Sequence, residues 1–213
     1  MTTRQTASFA ALTLAALAGM ATHASAAITG WTGNATQIAP PPSATFGSLT
    51  GAPARAWDEQ QGFIAVGLPV DLSINPSSSL LPTAGVVNGL VDSHFIHLED
   101  FSGASVVGTV TFNNPIVGVA YSDLFLDASD AAAGAGPTLY PTFTPFRGIN
   151  SFAGAQSIVS ISGNTISFDL LTTPGIADFE QIRVYTRIVP APGSMALLGA
   201  GGLLAVRRRR VRN

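Results

Sequence analysis

The sequence predicts an all-β protein: a single antiparallel domain with a β-sandwich or jelly-roll-like fold over residues 27–189. Several short segments alternate apolar and polar residues, which is the period of a half-buried strand. Glycine- and proline-rich stretches separate these segments, as in sandwich folds. No segment clearly sustains the 3.6-residue period of a helix, and residues 122–133 come nearest to it. The 163 residues of this region are enough to bury a substantial core.

The predicted strands follow one another at short intervals. Short strands are expected at residues 63–66 and 70–74, and the apolar run at 90–98 is expected at the centre of a sheet. Residues 109–112 alternate cleanly, and Asn113-Asn114-Pro115 then separates them from a second apolar run at 116–120.

Two further segments complete the predicted sandwich. Residues 158–170 predict a hairpin, because alternating segments flank Gly163-Asn164, a dipeptide suited to the positive φ angles of a tight turn. Residues 181–188 alternate in the same way. In that strand we expect Ile182, Val184 and Ile188 to point inward and Gln181, Arg183, Tyr185 and Arg187 to point outward.

The N-terminal residues 1–26 have the pattern of a signal peptide. Arg4 supplies a positive start, residues 7–20 are uncharged and rich in Ala and Leu, and Ala24-Ser25-Ala26 forms an A-x-A cleavage site. We therefore expect the mature chain to begin near Ala27.

The C-terminal residues 190–213 combine an apolar run with a basic end. Residues 193–206 carry no charge and would reach roughly 21 Å as a helix, against about 30 Å for the hydrocarbon core of a bilayer. Arg207, Arg208, Arg209 and Arg210 form a basic cap that favours the cytoplasmic side. This predicts a short hydrophobic transmembrane helix that holds the chain transiently. A marginal permanent anchor is the alternative.

The motif before this helix resembles a known sorting signal. Val189, Pro190, Ala191 and Pro192, with the apolar run and the Arg cluster, resemble the PEP-CTERM signal of Gram-negative bacteria, which exosortase-type membrane peptidases read. Ala191 stands where the family has Glu, so this is a Pro-Ala-Pro variant. The resemblance implies export through the Sec machinery and signal peptidase, an inner-membrane intermediate, and a final place at the cell surface or outside the cell. It also implies an association with exopolysaccharide.

Composition excludes several functions. Residues 27–189 hold four arginines, no lysine and all 12 acidic residues, a formal charge of about −8. Nucleic acids attract basic surfaces, so no nucleic-acid partner is expected. The chain has no cysteine, which excludes thiol nucleophiles, dithiol redox chemistry and Cys-ligated zinc.

The strongest ligand candidates form one short segment. Trp57, Asp58 and Glu59 place an aromatic ring beside carboxylates, a mixture that can stack on and hydrogen-bond to sugars. The alternative is that Trp57 anchors the core and the two acids lie at a polar strand edge.

The histidines do not predict a catalytic site. His94 and His97 fall on opposite faces of a strand, so they do not easily share a metal. Asp92 lies on the His94 face and could orient it, although a structural use of the pair is the stronger interpretation. The sequence has no GxSxG, HExxH or phosphate-binding glycine motif, and we predict no catalytic residue.

One acidic run is a candidate calcium site. Asp123, Asp127 and Asp130 could supply several of the six to eight oxygens that calcium requires. Their spacing fits no known calcium loop, and a solvated loop is the alternative. We predict no other cofactor.

Two functions are compatible with these observations. The first is a non-enzymatic surface or extracellular-matrix protein that binds exopolysaccharide. The second is a secreted hydrolase acting on glycans or esters, which a cleft containing Asp92, His94 and a further carboxylate would favour. Low charge and few ionisable residues favour the first.

Overall fold

The computed structural model describes residues 27–149, 151–152, 155–174 and 179–189. Two predictions therefore concern residues outside these ranges. They are the signal peptide at 1–26 and the sorting signal from Pro190 onward, with Ala191, Pro192, the apolar run and the basic cap Arg207–Arg210.

Within these ranges the chain forms strands and one helix. In chain order they are β1 (Ile28–Gly33), β2 (Ala35–Gln37), β3 (Ala54–Asp58), β4 (Phe63–Val70), β5 (Ser77–Ser78), β6 (Gly85–Leu98), β7 (Ser105–Phe112), β8 (Ile116–Ala120), α1 (Asp123–Ala133), β9 (Ser151–Phe152), β10 (Ala155–Gln156), β11 (Ile158–Ser162), β12 (Thr165–Leu171) and β13 (Glu180–Arg187). The described helix is too short and too polar to cross a membrane.

The strands build two main sheets. The first sheet has the order β1-β7-β12-β11-β5, and the second has β2-β3-β6-β13-β8, with β4 also paired to β6. All pairings within them are antiparallel except that of β2 with β3. The fold is thus all-β and sandwich-like, as predicted.

The main core lies between the two sheets. Val110, Phe112 and Ile166 of the first sheet pack in one cluster with Ile96 and Ile182 of the second. The hairpin β11–β12 turns at Gly163-Asn164, and the alternate residues Ile166, Phe168 and Leu170 of its second strand are buried. These features confirm the alternation that the sequence predicts for the central strands.

A second apolar cluster covers the other face of the second sheet. Trp57, Phe95 and Tyr185 from β3, β6 and β13 pack there with Leu126 and Ala133 of α1. The second sheet is therefore buried on both faces, by the first sheet on one side and by the helix on the other.

This helical layer corrects two predictions. Gln181, Arg183 and Tyr185 were expected to point to solvent, but α1 and its loops bury all three completely, and only Arg187 of that set is exposed. The alternative of a solvated loop for the acidic run is also wrong, because Asp123–Ala133 is helical. Its small residues let the helix lie close to the sheet, as the burial of Ser129 and Ala133 shows.

Several strand boundaries also differ from the prediction. Strands β6 and β7 begin earlier than expected, at Gly85 and Ser105. The expected strands at 63–66 and 70–74 are one strand, β4, which ends at Val70, and Leu72 beyond it makes only an isolated bridge to Val119. Strands β1, β2 and β3 were not predicted. Their segments are short and lack a clean alternation.

Candidate functional site

A buried ion pair lies between β13 and the helix. Arg183 donates to Glu59 through Nε (2.7 Å to Oε2) and Nη2 (2.9 Å to Oε1), and both side chains are inaccessible to solvent. The guanidinium also lies over the rings of Phe95 and Tyr140, 4.9 and 5.0 Å from their centroids. Burial alone would lower the pKa of Arg183, but the charge of Glu59 outweighs it and raises that pKa. Arg183 is therefore a permanent buried cation.

A second buried arginine extends this network toward the helix. Arg147 is fully buried and donates to Asp127 (2.6 Å), to Asp130 (2.7 Å) and to the side chain of Gln181 (3.0 Å). Asp130 also accepts from Arg183 at 3.1 Å. Burial alone would raise the pKa of Asp130, but the hydrogen bond from Arg147 and the charge of Arg183 outweigh it and hold that pKa below its usual value.

The acidic run predicted to bind calcium forms one face of α1. Asp123, Asp127 and Asp130 are spaced four and three residues apart, so they lie along the same side of the helix. Arg147 already binds Asp127 and Asp130. Calcium would have to displace this arginine, and calcium binding stays a prediction.

The same face of α1 binds the backbone of the connection formed by residues 141–148, which we call the 141–148 loop. Asp127 accepts from the backbone N–H of Phe143 at 3.1 Å, and Asp123 accepts from that of Phe146 at 3.0 Å. Asp123 also accepts from the N–H of Gly148 at 2.6 Å. The helix thus fixes the backbone of the loop along most of its length.

An open cleft of about 770 Å³ lies beside this loop. This volume is typical of small-molecule and cofactor sites. The cleft is lined by Asp71, Ser79, Pro82, Ala84, Tyr121, Ser122, Asp123, Leu124, Phe125, Phe146, Gly148, Ile149, Gln156 and Ser157. Among these described lining residues there are two aspartates and no arginine, lysine or histidine. The lining is therefore mainly apolar and hydroxylic, with negative charge only.

The polar groups of the cleft are held in place by the start of the helix. Asp71 Oδ2 accepts from the backbone N–H groups of Tyr121 (2.7 Å) and Ser122 (2.9 Å) and from the Ser122 hydroxyl (3.2 Å). None of these bonds uses Asp71 Oδ1. Burial, with the charge of Asp71, raises the pKa of Tyr121 to about 12, so this phenol stays protonated and neutral.

The predicted sugar-binding segment is part of the core instead. Trp57 is 0% exposed and packs against Phe95, so it has no face for a sugar and anchors the core as the alternative expected. The polar strand edge of that alternative is wrong for Glu59, which is buried. Asp58 accepts from the backbone N–H of Ile28 and pairs with His94. Glu59 is bound to Arg183 as described above.

The histidines are buried on opposite faces of β6, as predicted. His94 is 2.7 Å from Asp58 and stacks on Phe112 in the main core, so its carboxylate partner is not Asp92. His97 lies on the helix side beside Glu99, and burial lowers its pKa. Neither histidine lines the cleft.

Asp71, Tyr121 and Phe146 were not predicted as site residues. One signal was present: residues 141–146 read Pro-Thr-Phe-Thr-Pro-Phe, and because connections run over the protein surface, phenylalanines in this one were candidates for exposure.

Comparisons do not extend this assignment. No group of three or more His, Asp or Glu side chains in the described ranges is arranged to hold a metal ion. A scan against protein-family models and searches of curated proteins and of solved structures find no match to this chain.

Proposed function

We propose that this protein is an exported, non-enzymatic component of the cell surface or extracellular matrix that binds polysaccharide in the cleft beside the 141–148 loop. The observation that carries the proposal is the composition of the cleft. It offers an exposed aromatic ring at Phe146, further rings at Tyr121 and Phe125, and hydrogen-bonding groups at Asp71 and Gln156. Sugars present both C–H faces and hydroxyl groups, and this lining complements both.

The position of the ionisable groups supports binding rather than hydrolysis. A hydrolase using His94 would need that histidine in a cleft, whereas it is buried in the core against Phe112. Both oxygens of Asp123 accept backbone N–H groups of the loop, so this carboxylate has a structural partner on each side. A glycosidase needs two carboxylates directed at one bond. We therefore place the hydrolase second.

The sorting part of the proposal is supported by the sequence pattern. The last strand ends at Arg187, so the motif that begins at Val189 follows the domain after a single residue. We propose an exosortase-type membrane peptidase as the processing partner, after export by the Sec machinery and signal peptidase. Calcium remains the one cofactor candidate.

Binding is tested with the full-length chain in mild detergent on a glycan array, with and without calcium. We expect retention on at least one polysaccharide and no release of reducing sugar or free acid over time. Absence of binding to every glycan, with and without calcium, contradicts the binding proposal. Glycan turnover by the purified chain favours the hydrolase.

Processing is tested separately by replacing both Pro190 and Pro192 with Ala. The variant should accumulate as a full-length form in the membrane fraction, while the wild type is shortened and released. If the two proteins partition identically, the motif is not processed and residues 190–213 act only as a membrane anchor.

A further inference from the structure

Two phenylalanines of the 141–148 loop are exposed although burial would be favourable. Phe143 is 89% exposed and Phe146 is 57% exposed. Leu124, at the start of α1, is 72% exposed and lines the cleft together with Phe146. Burying a phenylalanine side chain is worth about 1.5–3 kcal/mol, so the fold leaves a substantial apolar driving force unused here. Exposed apolar groups gathered beside a cleft indicate a binding surface.

The backbone of both phenylalanines adopts a conformation that non-glycine residues avoid. Each has a φ of 64°, in the left-handed region. For an L-residue with a bulky side chain this conformation is strained, and it persists only where the surroundings enforce it. Such strain is found preferentially at binding and catalytic sites, where it presents a side chain in a defined direction.

The surroundings that enforce this conformation are the acidic face of α1 and Arg147. The N–H groups of Phe143 and Phe146 are held by Asp127 and Asp123, and the hydroxyl of Thr142 donates to Asp130 at 2.7 Å. Arg147, next to Phe146, is fully buried against the same helix. Thr142 and Arg147 are thus anchored while the two rings project outward. Because the loop is already ordered in the folded protein, binding a ligand does not cost the conformational entropy of ordering it.

The charges around the cleft favour one class of ligand over others. Aromatic faces are electron-rich and attract C–H groups of positive character, such as those on the flat face of a sugar ring. The described lining has no cation, it contains Asp71, and residues 27–189 carry a formal charge of about −8. A uronate or sulfated chain would be repelled, as would an anionic membrane. An uncharged sugar ring meets neither penalty.

We infer that Phe146 is a preorganised aromatic ring at the cleft on which uncharged polysaccharide chains stack, with Asp123 and Arg147 as positioning residues. This inference rests on the proposed function and gives its ligand class.

The test measures binding of the full-length chain, in mild detergent, to dextran, soluble cellulose oligosaccharides and alginate. We expect saturable binding to at least one neutral glucan and much weaker binding to the uronate polymer at low salt. Phe146→Ala should weaken glucan binding by roughly tenfold or more, which corresponds to about 1.4 kcal/mol. Phe101→Ala removes an exposed phenylalanine outside the cleft and is the matched control, with no expected change.

Two further variants separate stacking from simple apolar contact. Phe146→Trp keeps a ring and should retain binding, whereas Phe146→Leu keeps apolar area without a ring and should lose it. Equal binding by the Leu variant overturns the inference in favour of an apolar contact. Binding to phosphatidylcholine vesicles that Phe146→Ala weakens relative to the wild type overturns it in favour of a membrane contact.

The positioning role has its own readout. In the Phe146→Trp background, glucan should shift the emission of the new indole to shorter wavelength, measured against the wild type because Trp31 and Trp57 also emit. Adding Asp123→Ala should abolish this shift without unfolding the protein. An unchanged shift overturns the positioning role.

The two proposals fail differently. Absence of binding to every polysaccharide removes the proposed function together with this inference. Binding that prefers alginate, or that ignores Phe146→Ala, removes this inference and leaves the proposed function standing.

Discussion

Replacing Arg183 by methionine should destabilise the protein more than any exposed substitution. Arg183 is completely buried and donates five hydrogen bonds, two to Glu59 and one each to Ser129, Asp130 and the carbonyl of Leu126. Methionine fills much of the volume but leaves the Glu59 carboxylate without a cation. In that variant the Glu59 carboxylate would keep only the hydrogen bonds from the hydroxyls of Ser93 and Tyr140.

The magnitude follows from that unpaired charge. Removing one partner of a buried ion pair costs about 3–5 kcal/mol, because the other charge stays buried and uncompensated. For a domain of this size, 1 kcal/mol shifts Tm by about 2–4 °C, so Tm should fall by roughly 6–20 °C. The double variant Arg183→Met with Glu59→Gln should lose less than the sum of the single variants, by about 1–3 kcal/mol.

The assay is equilibrium urea unfolding followed by tryptophan fluorescence, since Trp57 is buried in the cluster next to this ion pair. Arg187→Met is the matched control, because Arg187 lies on the same strand and is exposed, and its effect should stay within about 0.5 kcal/mol. If Arg183→Met unfolds within about 1 kcal/mol of the wild type, the buried Glu59 carboxylate does not depend on Arg183 for its stability, which contradicts the expected loss.

Three further outcomes are expected. A Cβ on Gly148 would lie 2.3 Å from the Tyr121 carbonyl oxygen, whereas one on Gly136 meets nothing within 4 Å, so Gly148→Ala should lose about 1–3 kcal/mol in urea unfolding and Gly136→Ala almost none. Equal effects would contradict the close approach. Because the pKa of Asp130 is lowered in the folded state, its carboxylate stabilises the fold above the unfolded pKa of about 4, and this contribution is lost as the pH falls through the folded pKa. The stability difference between wild type and Asp130→Asn should therefore shrink between pH 7 and pH 3, and a constant difference would be inconsistent with an ionised Asp130. Millimolar calcium should leave Tm unchanged, since Arg147 occupies the helix carboxylates, and a clear rise in Tm would support the calcium prediction instead.

The strands were predictable where the alternation is regular. The hairpin around Gly163-Asn164 has the predicted boundaries almost to the residue, because a period of two over several residues has few alternative explanations. Residues 116–120 also match, because a short apolar run directly after Asn113-Asn114-Pro115 marks a buried strand with a clear start. Strand β3 was missed, since Ala54–Asp58 is buried on both faces and shows no alternation.

The candidate site was much less predictable. The acidic run was identified as important, but its partners were not, because Arg147 and Arg183 are distant from it along the chain. Trp57 was the candidate for stacking on a sugar, but its ring is buried, whereas the rings of Phe143 and Phe146 are exposed. Exposure depends on what packs over a residue, and local sequence does not report it.

The amino-acid sequence by itself determined the all-β class and the inner face of the central strands, since both depend on local periodicity. It also contains the pattern around Val189 on which the sorting proposal rests. The tertiary structure decided that α1 covers the outer face of β13, which turned Arg183 from an expected surface residue into a buried cation. Only long-range packing could bring Glu59, Asp130 and Arg147 around it, because those partners come from separate segments of the chain.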